Sequence, residues 1–567
     1  MKSTVVPEPK NSSRKLKLAI ALALIAMTSI AVLPFFVIGE DQKIGCCGGA
    51  MPVTHDSWMH FNQMNAFWQS LSAGIVYPRW DESTHGYGAP TTSFYPPGVY
   101  YLTSVAYFVA RDWWKAWAGF YWLTMLASAA AIWIYARQSL SRGASLMAAA
   151  VYVFAPYHLL NQYQRGAISE FTSFVWIPLC LLFAERLMNG RDAENTEVAQ
   201  SRLTSFAGLA ASFGAFLWTH PPTAYQFLLV FGLCVAVSAI RKGRAGKWRE
   251  LSWIAAALVF GSMLAAAYFY PAIAEQRLVN GDDVQRVWPY HASYVFDYSQ
   301  TVYDRVNNPF FVRLDRIWAF NLAAILVCAI ATLSFKERRV RVWLWVAAGL
   351  LASFLMTKYS ATIGRWIPKI EIGVYSWRML TLTSFAMAML TGAIADCGLR
   401  IADWRRAIAL VVLIGALAMS GYYVAWPMWR AQSFEPNLQH YNYATLPTGS
   451  PRENPPMPPV LLAADKGSII TERWTPEFRR LRLSLSENNQ LQFRTRNFAG
   501  WTATVDGQPV PINEGEVKNI LIDLAAGEHQ VTLEYRSTPI RRLSNWLTII
   551  SFAVLLSIVI INKRRNQ

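Results

Sequence analysis

The chain has 567 residues, 54% of them hydrophobic and only 15% charged, against about 25% charged residues in ordinary globular proteins. That balance excludes a soluble protein of usual make-up. The 14% aromatic content beside so few charges also excludes a solvated basic surface as the meaning of the +17 net charge.

Taken in chain order, apolar runs of roughly 20 residues mark membrane-spanning helices. They fall near 18–39, 113–136, 144–160, 171–188, 203–219, 222–240, 251–270, 314–335, 343–358, 378–396, 407–426 and 544–562. The expected fold class is therefore mainly α, a polytopic transmembrane helical bundle of about 12 spans. The first run is too long, and too poor in a small-residue cleavage site, for a signal peptide and reads as an anchor.

An outer loop at 40–112 follows the anchor, with Cys46 and Cys47 near its start, where they are open to oxidation outside the cytosol. Cys180, Cys234 and Cys328 fall in spans and read as small apolar fillers. No CxxC pair or His/Cys ligand spacing occurs. No cofactor is called for, and a divalent metal is compatible with the chain but not indicated.

Within the loop, Trp58, Phe61, Met64, Phe67 and Leu71 recur at three- and four-residue steps and predict an amphipathic helix ending at Gly74. Asp56, preceded by His55, stands at its amino-terminal end. A carboxylate there serves as a helix cap, and at a membrane surface it also accepts a proton from an acceptor hydroxyl. The Pro- and Gly-rich run from Tyr77 to Tyr101 reads as a loop whose aromatic rings suit a membrane interface or, with Arg79, Asp81, Glu82 and His85 among them, sugar rings. Segment 97–110 is short for a span and reads as a helix lying at or dipping into the outer surface.

Glu170 sits in NQYQRGAISEF at the next outer turn. It reads either as a surface pair with Arg165 or as a second acid facing the same cavity as Asp56. His220, in WTHPPTAY where two prolines break the helix, reads as structural or as a phosphate or hydroxyl partner. Lys358 ends a span, and Arg365 and Arg378 flank the outer loop 359–377. Arg378 opens an otherwise apolar span, where it either snorkels to the interface or offers its guanidinium fork to a phosphate.

The Pro-rich stretch in 427–463 reads as a semi-rigid linker. Beyond it RLRLSLS, QLQFRTR, TATVD and HQVTLEY alternate polar and apolar residues between turn signals. They predict a small antiparallel β-domain of sandwich type over 464–540, on the outer side before the final span 544–562. Trp501 in it reads as core or as a sugar-stacking ring.

With the amino terminus in the cytoplasm, the inner segments 1–17, 137–142, 184–203, 241–250, 336–341, 396–406 and 563–567 hold 25 of the 52 basic and 9 of the 35 acidic residues. Nearly all the positive excess is then a topology signal. It places both termini in the cytoplasm, the β-domain outside and no nucleic-acid footprint anywhere.

HDSWMHF, GIVYPRW, HGYGAPTTSFYPPGVYYL, RGAISE, THPP and YSWRML resemble the bacterial group labelled 6-pyruvoyl-tetrahydropterin synthase-related membrane proteins. The wider pattern, an acid in the first outer loop and another at the next outer turn, resembles GT-C type membrane glycosyltransferases. GWTATVDGQPVPI and LAAGEHQVTLEYR resemble the outer β-domain of the same group. The resemblance covers essentially the whole chain. It implies a module 1–426 in the cytoplasmic membrane that transfers a sugar from a polyprenyl-phosphate donor to a cell-envelope glycan or lipid acceptor on the outer face. It implies Asp56 as the catalytic acid/base position and Glu170 as the second acidic position, with His55, His220, Lys358, Arg365 and Arg378 toward substrate. A transporter or flippase of lipid-linked sugars or polymers, or a non-enzymatic cell-envelope assembly protein, are the alternatives. Acids at outer turns rather than in mid-span, and no repeat of hydropathy between the halves, weigh against transport.

Overall fold

A computed structural model describes residues 10–37, 50–52, 54–189, 196–241, 247–280, 290–297, 308–333, 340–364, 366, 375–396, 404–421, 431–433, 447 and 457–565. Arg365, Cys46, Cys47 and most of the Pro-rich stretch lie outside them. Among the described residues, eight helices are long and apolar enough to cross a membrane, and there are ten passages if each of two bent helix pairs is one span. The expected spans 203–219 and 222–240 are helical, Thr196–Thr219 and Pro221–Arg241, but fall outside that set. All twelve expected runs are thus helical, and ten of them make span-length apolar passages among the described residues.

Helices are numbered here in chain order: α1 (Lys10–Val32), α2 (Ser57–Ser72), α3 (Gly98–Ala110), α4 (Trp113–Ala136), α5 (Arg142–Val153), α6 (Ser173–Asn189), α7 (Thr196–Thr219), α8 (Pro221–Arg241), α9 (Lys247–Leu264), α10 (Ala266–Ala274), α11 (Pro309–Thr332), α12 (Val340–Leu355), α13 (Leu380–Ala395), α14 (Trp404–Ala418) and α15 (Pro539–Arg565). The passage containing α13 is 94% buried and forms the centre of the bundle, packed by α5, α11 and α12, whereas α14 and α15 present mostly apolar outer faces. Helix α2 is the predicted amphipathic helix, and its buried side carries Phe61, Met64 and Phe67. Helix α3 is a short apolar helix of 13 residues resting on α4 and α2.

Two passages expected to be straight are bent. Between α12 and the short segment Lys358–Gly364 the axis turns by 92°, and between α9 and α10 it turns by 82°. The backbone groups released at that bend find a partner in the last helix, where Thr548 Oγ1 accepts from Ala267 N–H and donates to the Met263 carbonyl. A break inside a membrane persists only when such groups are re-satisfied. After α5, Pro156 cannot continue the backbone ladder, and the chain runs through a short helix Pro156–Leu160 into a π-helical turn, Asn161–Arg165.

The β-domain ahead of α15 is a sandwich of two antiparallel sheets. In strand numbering of its own, β1 (Val460–Leu462), β4 (Asn489–Arg496), β8 (Asn519–Leu524) and β7 (Asn513–Glu514) form one sheet in that order. The other has the order β2 (Gly467–Thr475), β3 (Phe478–Leu485), β9 (Gly527–Tyr535), β5 (Trp501–Val505), β6 (Gln508–Val510). Leu481, Leu483, Val531 and Leu533 of one sheet meet Leu491, Phe493, Ile520 and Ile522 of the other. The first strand begins before 464, inside the stretch expected to be linker.

This core is completed from far away in the chain. Trp80, 1% exposed, inserts into it with its ring 5.2 Å from that of Trp501 and 5.4 Å from that of Tyr535. The Arg79 and Trp80 N–H groups both donate to Glu477 Oε1, and Glu82 accepts from Trp474 and Arg479. Gly88, at φ +76°, lies so close that a Cβ there would overlap the Trp80 indole. The same loop reaches the membrane bundle, where the Arg79 guanidinium donates to the Ala267 carbonyl and to Asn545. Trp501 is core, between Trp80, Tyr535 and Arg479, so its ring is not available for stacking on a sugar. Trp80→Ala is expected to destabilise the sandwich by about 3–5 kcal/mol, read as faster hydrogen exchange across β3 and β9 with α4 and α13 unchanged.

Candidate functional site

The site is built where the start of α2 meets the π-helical turn. Thr54 N–H donates to Ser57 Oγ and Ser57 N–H donates to Thr54 Oγ1, each at 3.1 Å. Thr54 therefore supplies the hydroxyl that caps α2, and the Asp56 carboxylate makes no cap bond. The cap expected of Asp56 is corrected accordingly. Its backbone serves instead, because His55 and Asp56 N–H donate to the carbonyls of Gln164 (3.0 Å) and Arg165 (2.9 Å). Gly166, in the left-handed region at φ +64°, allows this approach, since a Cβ there would overlap the Thr54 hydroxyl.

The turn so braced delivers Arg165 and, from the short helix that follows it (Ile168–Phe171), Glu170. Arg165 Nη1 pairs with Glu170 Oε2 at 2.5 Å, and Arg378 Nε, from the 3₁₀ turn Ser376–Met379 ahead of α13, pairs with the same oxygen at 3.1 Å. The other oxygen, Oε1, accepts from the Tyr157 hydroxyl at 2.5 Å. Glu170 is 1% exposed, so it is the centre of a buried ionic cluster and not half of a surface pair. A carboxylate engaged on both oxygens orders two guanidinium groups, and their charge is what keeps it ionised out of water.

Asp56 stands beside this cluster, half-buried and enclosed by protein. Burial pushes its carboxyl above the ordinary range, opposed by Arg165 and Arg378 and reinforced by Glu170. His55 is exposed and packs edge-on against Phe310 at 4.8 Å, and desolvation by the surrounding protein, with Arg165 and Arg313, lowers its imidazole to about 4, leaving it neutral at pH 7. His220 caps α8, for its Nδ1 accepts from Thr223 N–H at 3.3 Å and lies 2.8 Å from the Thr223 hydroxyl. Burial, then Arg378, holds it far below the usual histidine range. That acceptor role at Nδ1 places the proton of the neutral ring on Nε2.

Asp56, His55, Glu170, His220 and Arg378 are thus brought together. Lys358 is exposed in the turn Lys358–Ser360 beyond α12 and has no contact with the cluster described here, and Arg365 lies outside the described residues. Sequence reasoning treated Arg165 only as a partner of Glu170 and did not single out Tyr157 or Tyr95. The half-buried Tyr95 lies within electrostatic reach of Asp56, Arg378 and Arg165. The run of Asn161, Gln162, Gln164 and Arg165 at the end of an apolar passage was the available signal, since polar groups buried in a membrane helix need one another or a ligand. The Arg378 guanidinium also lies 5.0 Å over the Tyr375 ring, which stacks on Trp377 at 4.2 Å. Among the described residues no three His, Cys, Asp or Glu side chains are grouped as metal ligands.

No family model matches the chain, and no curated protein matches it. Among solved structures, two of arabinofuranosyltransferase AftD from Mycobacteria align with 73% of this chain at 14% and 15% identity, with TM-scores of 0.44 and 0.46. This chain spans only 29% and 27% of those two chains. ArnT from Cupriavidus metallidurans, bound to undecaprenyl phosphate, aligns over 73% of this chain and 71% of its own at 14% identity and a TM-score of 0.39.

Proposed function

We propose that the chain is a GT-C-like glycosyltransferase that moves a sugar from a polyprenyl-phosphate donor to a cell-envelope glycan or lipid acceptor on the outer face of the cytoplasmic membrane. In this reading 1–426 is the catalytic module, 427–463 a tether, 464–540 the outer β-domain and 544–562 the last span, with both termini cytoplasmic. The observation that carries it is the Asp56 carboxylate, unused by its helix, beside two guanidinium groups braced by Glu170.

Group transfer from a lipid phosphate needs a proton acceptor for the incoming hydroxyl and positive charge for the departing phosphate. Asp56 takes the acceptor's proton as its oxygen bonds to the anomeric carbon. The bond from that carbon to the phosphate oxygen breaks, and its electron pair stays with the phosphate, which Arg378 and Arg165 stabilise. Glu170, engaged on both oxygens, positions these arginines in place of acting as a second acid. Neutral His55 and His220 border the site as hydrogen-bonding groups for sugar hydroxyls. The donor phosphate is assigned to Arg378 and Arg165 in preference to exposed Lys358.

The test is the purified chain in liposomes with a polyprenyl-phosphate donor carrying a radiolabelled sugar and an envelope glycolipid acceptor. Label is expected on the acceptor. Movement of the donor across the bilayer with no transfer product would overturn the proposal in favour of a flippase.

A further inference from the structure

The loop from Tyr77 to Tyr101 meets the β-domain and the candidate site through two consecutive residues. Its short helix Thr91–Phe94 is tied to the segment that carries Trp80, since Thr92 Oγ1 donates to the Pro78 carbonyl at 2.8 Å and Ser93 Oγ to the Arg79 carbonyl at 3.3 Å. Phe94, the last residue of that helix, packs on the β-domain core with its ring edge-on to Phe498, centroids 6.1 Å apart. The Phe94 carbonyl accepts from the Tyr268 hydroxyl of α10 at 3.4 Å. Position 94 is therefore held by the sandwich on one side and by the helical bundle on another.

Tyr95 follows in extended backbone, at φ −106° and ψ 137°, and packs on the candidate site. Its ring lies 5.6 Å from that of His60 and 5.9 Å from that of Tyr100. His60 N–H donates to the Asp56 carbonyl at 3.0 Å, so Tyr95 rests on α2 one turn beyond Asp56. Its hydroxyl is within electrostatic reach of Asp56, Arg378 and Arg165, and desolvation by the surrounding protein, then Asp56, push it above the usual phenol range. It stays protonated, and a hydroxyl that keeps its proton beside two guanidinium groups is a donor for the anion they attract.

We infer that Tyr95 is a further substrate-contacting residue of the site, donating to the lipid phosphate that Arg378 and Arg165 bind, and that the β-domain holds it in place through Phe94 and Phe498. The inference rests on the transferase reading and deepens it: the β-domain becomes a support of the catalytic centre instead of an appendage to it.

Equilibrium binding of radiolabelled polyprenyl phosphate, carrying no sugar, to the detergent-solubilised full chain reads the contact directly. Tyr95→Phe keeps the ring on His60 and Tyr100 and removes only the hydroxyl. It is expected to weaken binding about tenfold, in keeping with one hydrogen bond to a charged group. Phe498→Ala, a change within the β-domain, should weaken binding by the same factor, and the double variant should be no weaker than either single one, because both act through one contact. Should Phe498→Ala unfold the β-domain, Phe498→Leu takes its place, keeping an apolar side chain while withdrawing the ring edge. Tyr95→Phe binding like the wild type would mean a ring kept for packing and would overturn the assignment even if sugar transfer is observed. A double variant weaker than both single ones would overturn the role of the β-domain, and a wild-type chain that binds no polyprenyl phosphate would overturn the whole inference. A chain that shows the expected binding differences yet transfers no sugar would refute the transferase reading and leave the Tyr95 contact standing.

Discussion

Asp56→Asn is expected to leave the protein folded and inserted while lowering sugar transfer about 10²–10⁴-fold, the usual contribution of a positioned general base. The substitution keeps shape and volume, and α2 does not depend on the lost charge because Thr54 caps it. Fold and chemistry are therefore separable at this position. The pH profile gives a second reading. Burial raises the Asp56 carboxyl above its ordinary value, near 3.9 for an aspartate in water, and a base works only when deprotonated. The wild-type rate should climb with pH along a limb lying above the normal carboxylate range, and that limb should vanish in the Asn variant. Full activity in Asp56→Asn would remove this residue from the reaction.

Glu170→Gln is expected to act through stability first. The change leaves Arg165 and Arg378 buried without the carboxylate that both contact, and removing one partner of a buried ion pair costs about 3–5 kcal/mol. Thermal melting of the detergent-solubilised protein should fall accordingly, with transfer lost as the two guanidinium groups move apart. If Glu170 were instead a second acid acting on substrate, the Gln variant would melt like the wild type and lose only its turnover. That outcome would reverse the roles proposed for the two carboxylates.

The two acids differed in how plainly the sequence displayed them. Apolar run lengths were enough to find the helices, because burying a backbone in lipid demands long uninterrupted segments. The bend between α9 and α10 was hidden, since the hydroxyl that satisfies it comes from Thr548, far along the chain. Asp56 stood out by its place at the head of a predicted helix. That its carboxylate is not a cap depends on Thr54 and Ser57 bonding each other first. Glu170 and Arg165 were visible as neighbours five positions apart, yet whether such a pair is solvated or buried is decided by Arg378 arriving from another helix. The aromatic run after Tyr77 was conspicuous, and its main use, filling another domain's core with Trp80, involves partners at Trp501 and Tyr535 that no local pattern reveals.

That inserted tryptophan bears on the order in which the molecule is assembled. The loop carrying Trp80 leaves the ribosome early, whereas the strands that enclose it are made only after almost every membrane helix. Until then the Trp80 indole waits without the sandwich that encloses it. Contacts between such distant stretches must overcome the entropy of closing a very long loop before they are rewarded. The β-domain therefore becomes native late, and it closes on a segment that was made near the start. A truncated chain that stops before β9 would leave that early loop permanently unfinished, so completion of the β-domain reports that synthesis has passed β9.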